Sequence, residues 1–258
     1  MSNEVAESNA KIALITGSSR GLGREAALSL GARGVDVLVT YRSREDEAQA
    51  VVRAIEEKGQ KAVALQLDAG DVKSFDGFVA NVREALSGWG VSRFDYLVNN
   101  AGTGLYAPFT EVTEEQFDEV LNVHFKGVFF LTQKLLPLMN DGGRIINVSS
   151  GLARFSYNGS SAYASMKGAV EVLTRYLAKE LGPRRITANV VAPGAIETDF
   201  GGGRVRDNKE LNQMVAGQTA LGRVGVPEDV GPMIAALLSD DNRWVNGQRI
   251  EVAGGIHL

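Results

Sequence analysis

The sequence predicts an α/β chain built as one doubly wound parallel sheet with helices on both faces. Three observations predict it. Strand and helix patterns alternate along nearly the whole of the 258 residues with no linker between them. The first strand empties into a glycine-rich turn that opens directly onto a helix. Residues 143–150, GRIINVSS, form a short β-branched apolar run that reads as a buried strand ending in a loop.

The elements run in this order. KIALIT (11–16) is the first strand, GSSRGLG (17–23) the turn, and an Ala/Leu-rich helix over 22–33 stops at Gly34. A strand at 35–40, VDVLVT, precedes a helix at 44–58, and a strand at 61–67 precedes a helix at 72–87. FDYLV (94–98) is the fourth strand. Thr113 with Gln116 has the form of a capping box and opens a long helix over 114–139. A strand at 144–149 leads to a helix over 161–181, where apolar residues recur at three and four, no Pro intervenes, and Gly182-Pro183 ends the run. A strand at 186–191, helices near 207–217 and 228–238, and a strand at 248–252 complete the order.

Composition bounds the rest. A 44% hydrophobic content supports a substantial core, and no apolar run is long enough to span a bilayer. Residues 1–10 are polar, lack the basic and apolar regions of a signal peptide, and read as a flexible tail. Residues 11–258 are therefore expected to form a single domain resident in the cytoplasm. With 27 basic against 31 acidic residues, neither a nucleic-acid footprint nor an anionic-membrane surface is expected. The absence of Cys excludes disulfides, thiolate catalysis and thiolate metal sites, and two His, at 124 and 257, leave no His-based metal cluster.

Chemistry concentrates in two places. Tyr163 and Lys167 share one face of their helix about one turn apart, and Ser150 ends the strand before it. A phenol near pKa ~10 is a poor acid or base at neutral pH, and an ammonium some 4 to 5 Å away stabilises the phenolate by roughly 3 to 4 kcal/mol, or about 2 to 3 pKa units. Such a pair is common on helices as an aromatic beside a solvated amine, so the glycine turn carries the argument. There Gly17 takes the tight turn, Gly21 lets backbone approach a pyrophosphate and Gly23 allows close packing of helix on strand, with amides and helix dipole facing the anion. The spacing is G-x-x-x-G-x-G rather than G-x-G-x-x-G.

Taken together, TGSSRGLG (16–23), Asp68 after the third strand, NNAG (99–102), Ser150, Tyr163 with Lys167, and PGAIET (193–198) resemble the classical short-chain dehydrogenase/reductase family over residues 11–255. The resemblance implies a Rossmann-type catalytic domain in which Tyr163 passes a proton to or from the substrate oxygen. It further implies that Ser150 hydrogen-bonds that oxygen and that Lys167 holds the nicotinamide ribose and depresses the phenol. Family spacing, thirteen residues before the tyrosine, selects Ser150 over its neighbour Ser149. Where the family usually carries Asn in Asn-x-x-Gly-Val-Phe, this chain has His124, which either joins the proton path or merely packs; Asn122 is two residues too early.

By position the resemblance assigns cofactor contacts to Gly17, Ser19, Arg20, Gly21, Leu22 and Gly23, to Tyr41, Arg42 and Ser43, and to Asp68 and Ala69 at the adenine. Asn100, Ala101 and Gly102 lie at the ribose, with Asn100 also a candidate for bonding backbone only. Pro193, Gly194, Ile196 and Thr198 lie near the carboxamide, beside Tyr163 and Lys167. An NAD-preferring chain is expected to place an acid at position 41; Tyr41 stands there, with Arg42 next to it and Arg20 in the turn, so NADP(H) is the expected cofactor.

The substrate is expected between residues 103–109, 151–159 and a lid at 199–217 that contains the chain's run of three glycines. Arg154 and Phe155 are candidates to meet an acidic or aromatic substrate. Apolar residues around the helix at 114–139 exceed a single stripe, which points to an oligomer, a homotetramer or homodimer in the family. The expected activity is NADP-dependent hydride exchange with a ketone or secondary alcohol, 3-oxoacyl-carrier-protein reduction being one case. The rival is a cofactor-binding regulatory protein without turnover.

Overall fold

The computed structural model describes residues 10–258, so the predicted tail lies, but for Ala10, outside the described residues. Seven parallel strands form one sheet in the order β3-β2-β1-β4-β5-β6-β7. They are β1 (Ile12–Ile15), β2 (Asp36–Tyr41), β3 (Ala62–Gln66), β4 (Phe94–Asn99), β5 (Met139–Val148), β6 (Thr187–Pro193) and β7 (Arg249–Val252). The order reverses between β1 and β4, so the loops leaving those two strands part to opposite faces and open a crevice at their carboxyl ends.

Strand periodicity divides the core in two. Ala13 and Ile15 of β1 face one layer, with Ala26 and Leu30 of α1 (Gly21–Gly31), Val51 and Ile55 of α2 (Glu45–Glu56), and Ile234 of a helix near the C-terminus. Ile12 and Leu14 face the other, with Phe75, Phe78 and Leu86 of α3 (Phe75–Gly88). Each of the Val, Leu, Ile and Phe side chains contributes about 1.5–3 kcal/mol by leaving water.

The helix predicted over 114–139 is broken in two places. Thr113 and Gln116 do form the capping box of α4 (Glu114–Leu121). Residues 122–126 then widen into a π-helical turn, in which the Gly127 amide bonds the Asn122 carbonyl five residues back, before α5 (Gly127–Leu135) resumes. Pro137, which lacks a donor, confines residues 136–138 to a short 3₁₀ turn, and β5 begins at Met139 rather than 144, pairing Met139 with Phe94 before a register shift.

The remaining helices are α6 (Ser161–Glu180), α7 (Arg204–Asp207), α8 (Lys209–Gly217) and α9 (Pro227–Leu237). The helix predicted near 207–217 is split at Asn208, whose side chain accepts from the Leu211 amide at 3.0 Å and caps α8. Among the described residues no helix is long and apolar enough to cross a membrane, and no cluster of His, Asp or Glu could hold a metal.

Candidate active site

At the crevice the glycine turn is tied to the end of β4. Asn100 donates its side-chain amide to the carbonyls of Thr16 and Gly17 at 2.9 and 3.0 Å, while the Asn100 and Ala101 amides both donate to Thr16 Oγ1 at 2.9 Å. Of the two roles open to Asn100, the backbone-bonding one is what the structure displays. Thr16 and Thr40, which accepts from the Gly17 amide at 2.9 Å, were not legible as site residues, because a hydroxyl at a strand end carries no pattern of its own. Gly17 has φ +64°, and a Cβ on Gly23 would lie 2.3 Å from the Gly17 carbonyl oxygen, so both glycines are sterically required.

The start of α1 fits a phosphate. Its N-cap, Arg20, makes no side-chain cap bond and no acid occupies the first turn, leaving amide donors and dipole for an anion. Thr198 stands opposite: a Cβ on Gly21 would come 3.6 Å from its Cγ2, so residues 17–23 and 193–198 face each other. Pro193 ends β6, the Gly194 amide bonds the Val252 carbonyl, and Ile196 bridges to Gly225. Leu22 and Ile196 turn their side chains into the core, which leaves only their backbone for a ligand. Ser19 is buried, and Tyr41 and Ser43 flank Arg42 at the end of β2. Both guanidiniums expected to hold a 2′-phosphate are engaged elsewhere: Arg42 pairs with Asp68 at 3.0 Å, and Arg20 reaches Asp199 across the cleft at 3.5 Å. Asp68 also accepts from the Gly70 amide at 2.9 Å, with Ala69 between them. These ion pairs are solvent-exposed and worth about 0–1 kcal/mol each, a cost that a doubly charged phosphate exceeds.

The candidate catalytic residues meet where β5 ends. Tyr163 and Lys167 lie on the buried face of α6, and the Lys167 ammonium donates to the Val148 carbonyl at 2.8 Å and lies 5.6 Å from the Tyr163 ring centre. Ser150 accepts from the Leu152 amide at 3.2 Å and is near enough to Tyr163 to act on its titration. Its backbone is held by residues that sequence did not single out: Arg249 donates to the Ser150 carbonyl at 3.1 Å and to Glu171 at 2.8 Å, while Ser149 donates to Glu171 at 2.6 Å. Arg249 comes from β7 and Glu171 from α6, so no spacing rule reaches them.

The depression of the phenol expected from Lys167 is reversed. Burial pushes Tyr163 well above its ordinary value, the Ser150 hydroxyl opposes this and Tyr106 adds to it. Lys167 meets the same dry surroundings, which bring it down to about 7. The amine is thus only partly charged at neutral pH and its proton is directed at a carbonyl, so Tyr163 stands as a neutral phenol, a proton donor.

His124 occupies the middle of the π-helical turn, 1% exposed, with its ring edge-on to Tyr163 at 5.0 Å and 89°. Its Nε2 lies 2.7 Å from the Thr103 carbonyl oxygen and 3.2 Å from the Thr103 amide, whereas Nδ1 is buried without a partner. Burial first, then the Lys167 charge, lowers it to about 3, so the ring is neutral. A Cβ at Gly102 would come within 2.7 Å of His124 Cε1, which ties the end of NNAG to this histidine. Asn122 lies instead beside Gly70, away from the reacting groups.

The segment expected as a lid packs against the candidate site at Phe200 and Gly201. Phe200 lies 5.7 Å from the Tyr163 ring, and a Cβ on Gly104 would come within 2.8 Å of Gly201 Cα. Arg154 pairs with Glu251 at 3.2 Å and Phe155 meets His257 edge-to-face with ring centres 4.6 Å apart, so these two face the C-terminal segment.

The lowered Lys167 also makes stability depend on pH. With a folded pKa of about 7 against 10.5, the folded chain binds fewer protons than the unfolded one between those values. Its penalty is complete below pH 7 and fades as pH rises toward 10.5. Lys167→Met is expected to raise the melting temperature of the ligand-free protein most at about pH 6 and least near about pH 10; a gain independent of pH in thermal denaturation contradicts this.

Comparison with known proteins agrees with this geometry. A family model described as enoyl-(acyl carrier protein) reductase matches residues 17–257. The hydroxynaphthalene reductase-like protein Arp2 of Metarhizium brunneum is 39% identical over 256 residues, spanning 95% of this chain and 94% of that protein. Among solved structures, LugOII, a promiscuous reductase that catalyses keto-reduction at C1 during lugdunomycin biosynthesis, superposes with a TM-score of 0.91 at 39% identity over 96% of this chain and 98% of its own. The angucycline C-6 ketoreductase LanV, solved with bound NADP, gives a TM-score of 0.91 at 37% identity over 95% of each chain. Motifs, strand order and these matches agree along nearly the whole length: the chain is an oxidoreductase of the short-chain dehydrogenase/reductase family.

Proposed function

We propose that the protein is an NADPH-dependent ketoreductase. The observation that carries this reading is the buried Tyr163 beside Ser150, with Lys167 anchored to the Val148 carbonyl, at the carboxyl-end crevice of the sheet. Bound nicotinamide supplies hydride to the carbonyl carbon. This chain's residues do the rest. Tyr163 donates its proton to the developing alkoxide and Ser150 donates a hydrogen bond to the same oxygen. Two neighbouring hydroxyl donors suit the oxygen on which charge develops as hydride arrives. Lys167 holds the ribose hydroxyls, and the unpartnered Nδ1 of the neutral His124 ring accepts a hydrogen bond from a bridging water on the path that returns a proton to Tyr163. The ketoreductases and the hydroxynaphthalene reductase-like relative support a cyclic ketone on a fused aromatic frame as the substrate class.

Tyr163→Phe is expected to abolish NADPH oxidation with a ketone such as α-tetralone while NADPH still binds; undiminished turnover would remove the acid role. His124→Ala is expected to lower kcat several-fold with the KM for NADPH little changed, and wild-type turnover takes His124 out of the path.

NADP preference rests on Arg20, Arg42 and the absence of an acid at position 41. Arg42→Ala is expected to cut kcat/KM for NADPH about tenfold and to leave NADH within about twofold, as a lost charge-assisted hydrogen bond to the 2′-phosphate requires. Equal losses with both cofactors contradict the assignment.

We also infer a homo-oligomer. An apolar groove of about 580 Å³ between α5 and α6 is lined by Phe125, Phe129, Leu136, Val172 and Tyr176. Phe129, Val172 and Tyr176 are 40%, 45% and 62% exposed, and pairing these helices with a second copy buries them. Light scattering that finds a stable monomer contradicts the inference.

A further inference from the structure

A second groove, of about 670 Å³, lies beside the reacting groups and is lined by Tyr106, Phe109, Tyr157, Ser160, Ala164 and Arg204. It is within the size range of small-molecule sites. Ser160 and Ala164 bracket Tyr163 along α6, and a Cβ on Gly201, next to the Phe200 that covers Tyr163, would come 2.8 Å from the Tyr106 ring. Three aromatic side chains stand open there: Tyr106 is 41% exposed, Phe109 82% and Tyr157 37%.

Two polar groups of the groove have unused bonding capacity. The Arg204 guanidinium lies over the Tyr106 ring, 4.7 Å from its centre, and makes no ion pair among the described residues. The nearby cations differ: Arg206 is held by Asp199 and Asp207, and Arg20 reaches Asp199. Ser160 stands at the N-cap of α6, where a serine ordinarily accepts from the helix amides, yet it makes no cap bond and its buried hydroxyl has no partner. A free guanidinium over the Tyr106 ring, in a groove that also exposes Phe109 and Tyr157, is matched by a flat ligand with an anionic oxygen: rings stack on rings, and the guanidinium fork meets the charge.

We propose that this groove is a specificity subsite for a planar aromatic part of the substrate that carries an anionic oxygen, a carboxylate or ionised phenol, remote from the carbonyl being reduced. Arg204 supplies the counter-charge and the Ser160 hydroxyl a further donor. The proposal rests on the ketoreductase reading for its place beside the reacting carbonyl, and its test is kept apart from turnover. Binding is measured by calorimetry on the full chain in saturating NADP, using 2-naphthoate and its neutral counterpart 2-naphthamide, neither of which has a ketone. The expected result is at least tenfold tighter binding of 2-naphthoate by the wild type, affinities within about twofold of each other in R204Q, and a preference retained in R206Q. Equal affinities in the wild type, survival of the preference in R204Q, or its loss in R206Q as well overturns the proposal. Failure of the wild type to oxidise NADPH with α-tetralone would instead strike the ketoreductase reading and leave the binding comparison standing.

Discussion

The burial of Tyr163 and Lys167 on the core-facing stripe of α6 is the constraint on which the site depends. Tyr163, Met166, Lys167 and Val170 succeed one another at helical spacing, so two ionisable groups occupy positions that packing alone would fill with apolar side chains. Such an amine stays in the interior by finding an acceptor and by giving up part of its charge. Lys167 does both, bonding the Val148 carbonyl where β5 ends and falling to about 7. Because β5 is fixed between β4 and β6, that bond, together with those from Ser149 to Glu171 and from Asn147 to Thr174, ties α6 to the strand end that carries Ser150. The same dryness keeps the Tyr163 proton in place, which suits the donor role proposed for it.

The π-helical turn is the second device. An ordinary α-helical turn through residues 122–126 would advance α5 by a different rotation from that observed; the widened turn puts His124 against Tyr163 while α5 keeps Leu131 and Leu135 in the core. His124 is then enclosed by the bare backbone of Gly102 and by Thr103, with one ring nitrogen bonded and the other not. A buried polar atom left unpaired costs about 1–3 kcal/mol, and such a cost in a well-packed interior is characteristic of a working site.

At the phosphate end, charge is shared between ligand site and lid. Asp199 engages both Arg20 of the glycine turn and Arg206 of the lid, so the segment that covers Tyr163 is linked through exposed, easily exchanged ion pairs to the residues suited to a 2′-phosphate. Three successive glycines, at φ +61°, +74° and +75°, supply the left-handed backbone that lets the lid fold tightly onto Gly104 and Tyr106.

Much of this was legible in the sequence. Alternating periodicities of about 2 and 3.6 residues, glycines between strand and helix, and a capping box are local signals, since backbone geometry reads them over a few residues; they determined the sheet class, the element order and the glycine turn, while the candidates Ser150, Tyr163 and Lys167 came from helical spacing joined to the family resemblance. Tertiary structure decided what depends on surroundings. The π-helical turn and the early start of β5 arise from packing and strand pairing; Arg249 and Glu171 reach Ser150 and Ser149 from distant parts of the chain; Arg154 turns to Glu251. The direction of the Tyr163 shift belongs with these, because desolvation is a property of the filled space around a group and no spacing of residues along a chain encodes it.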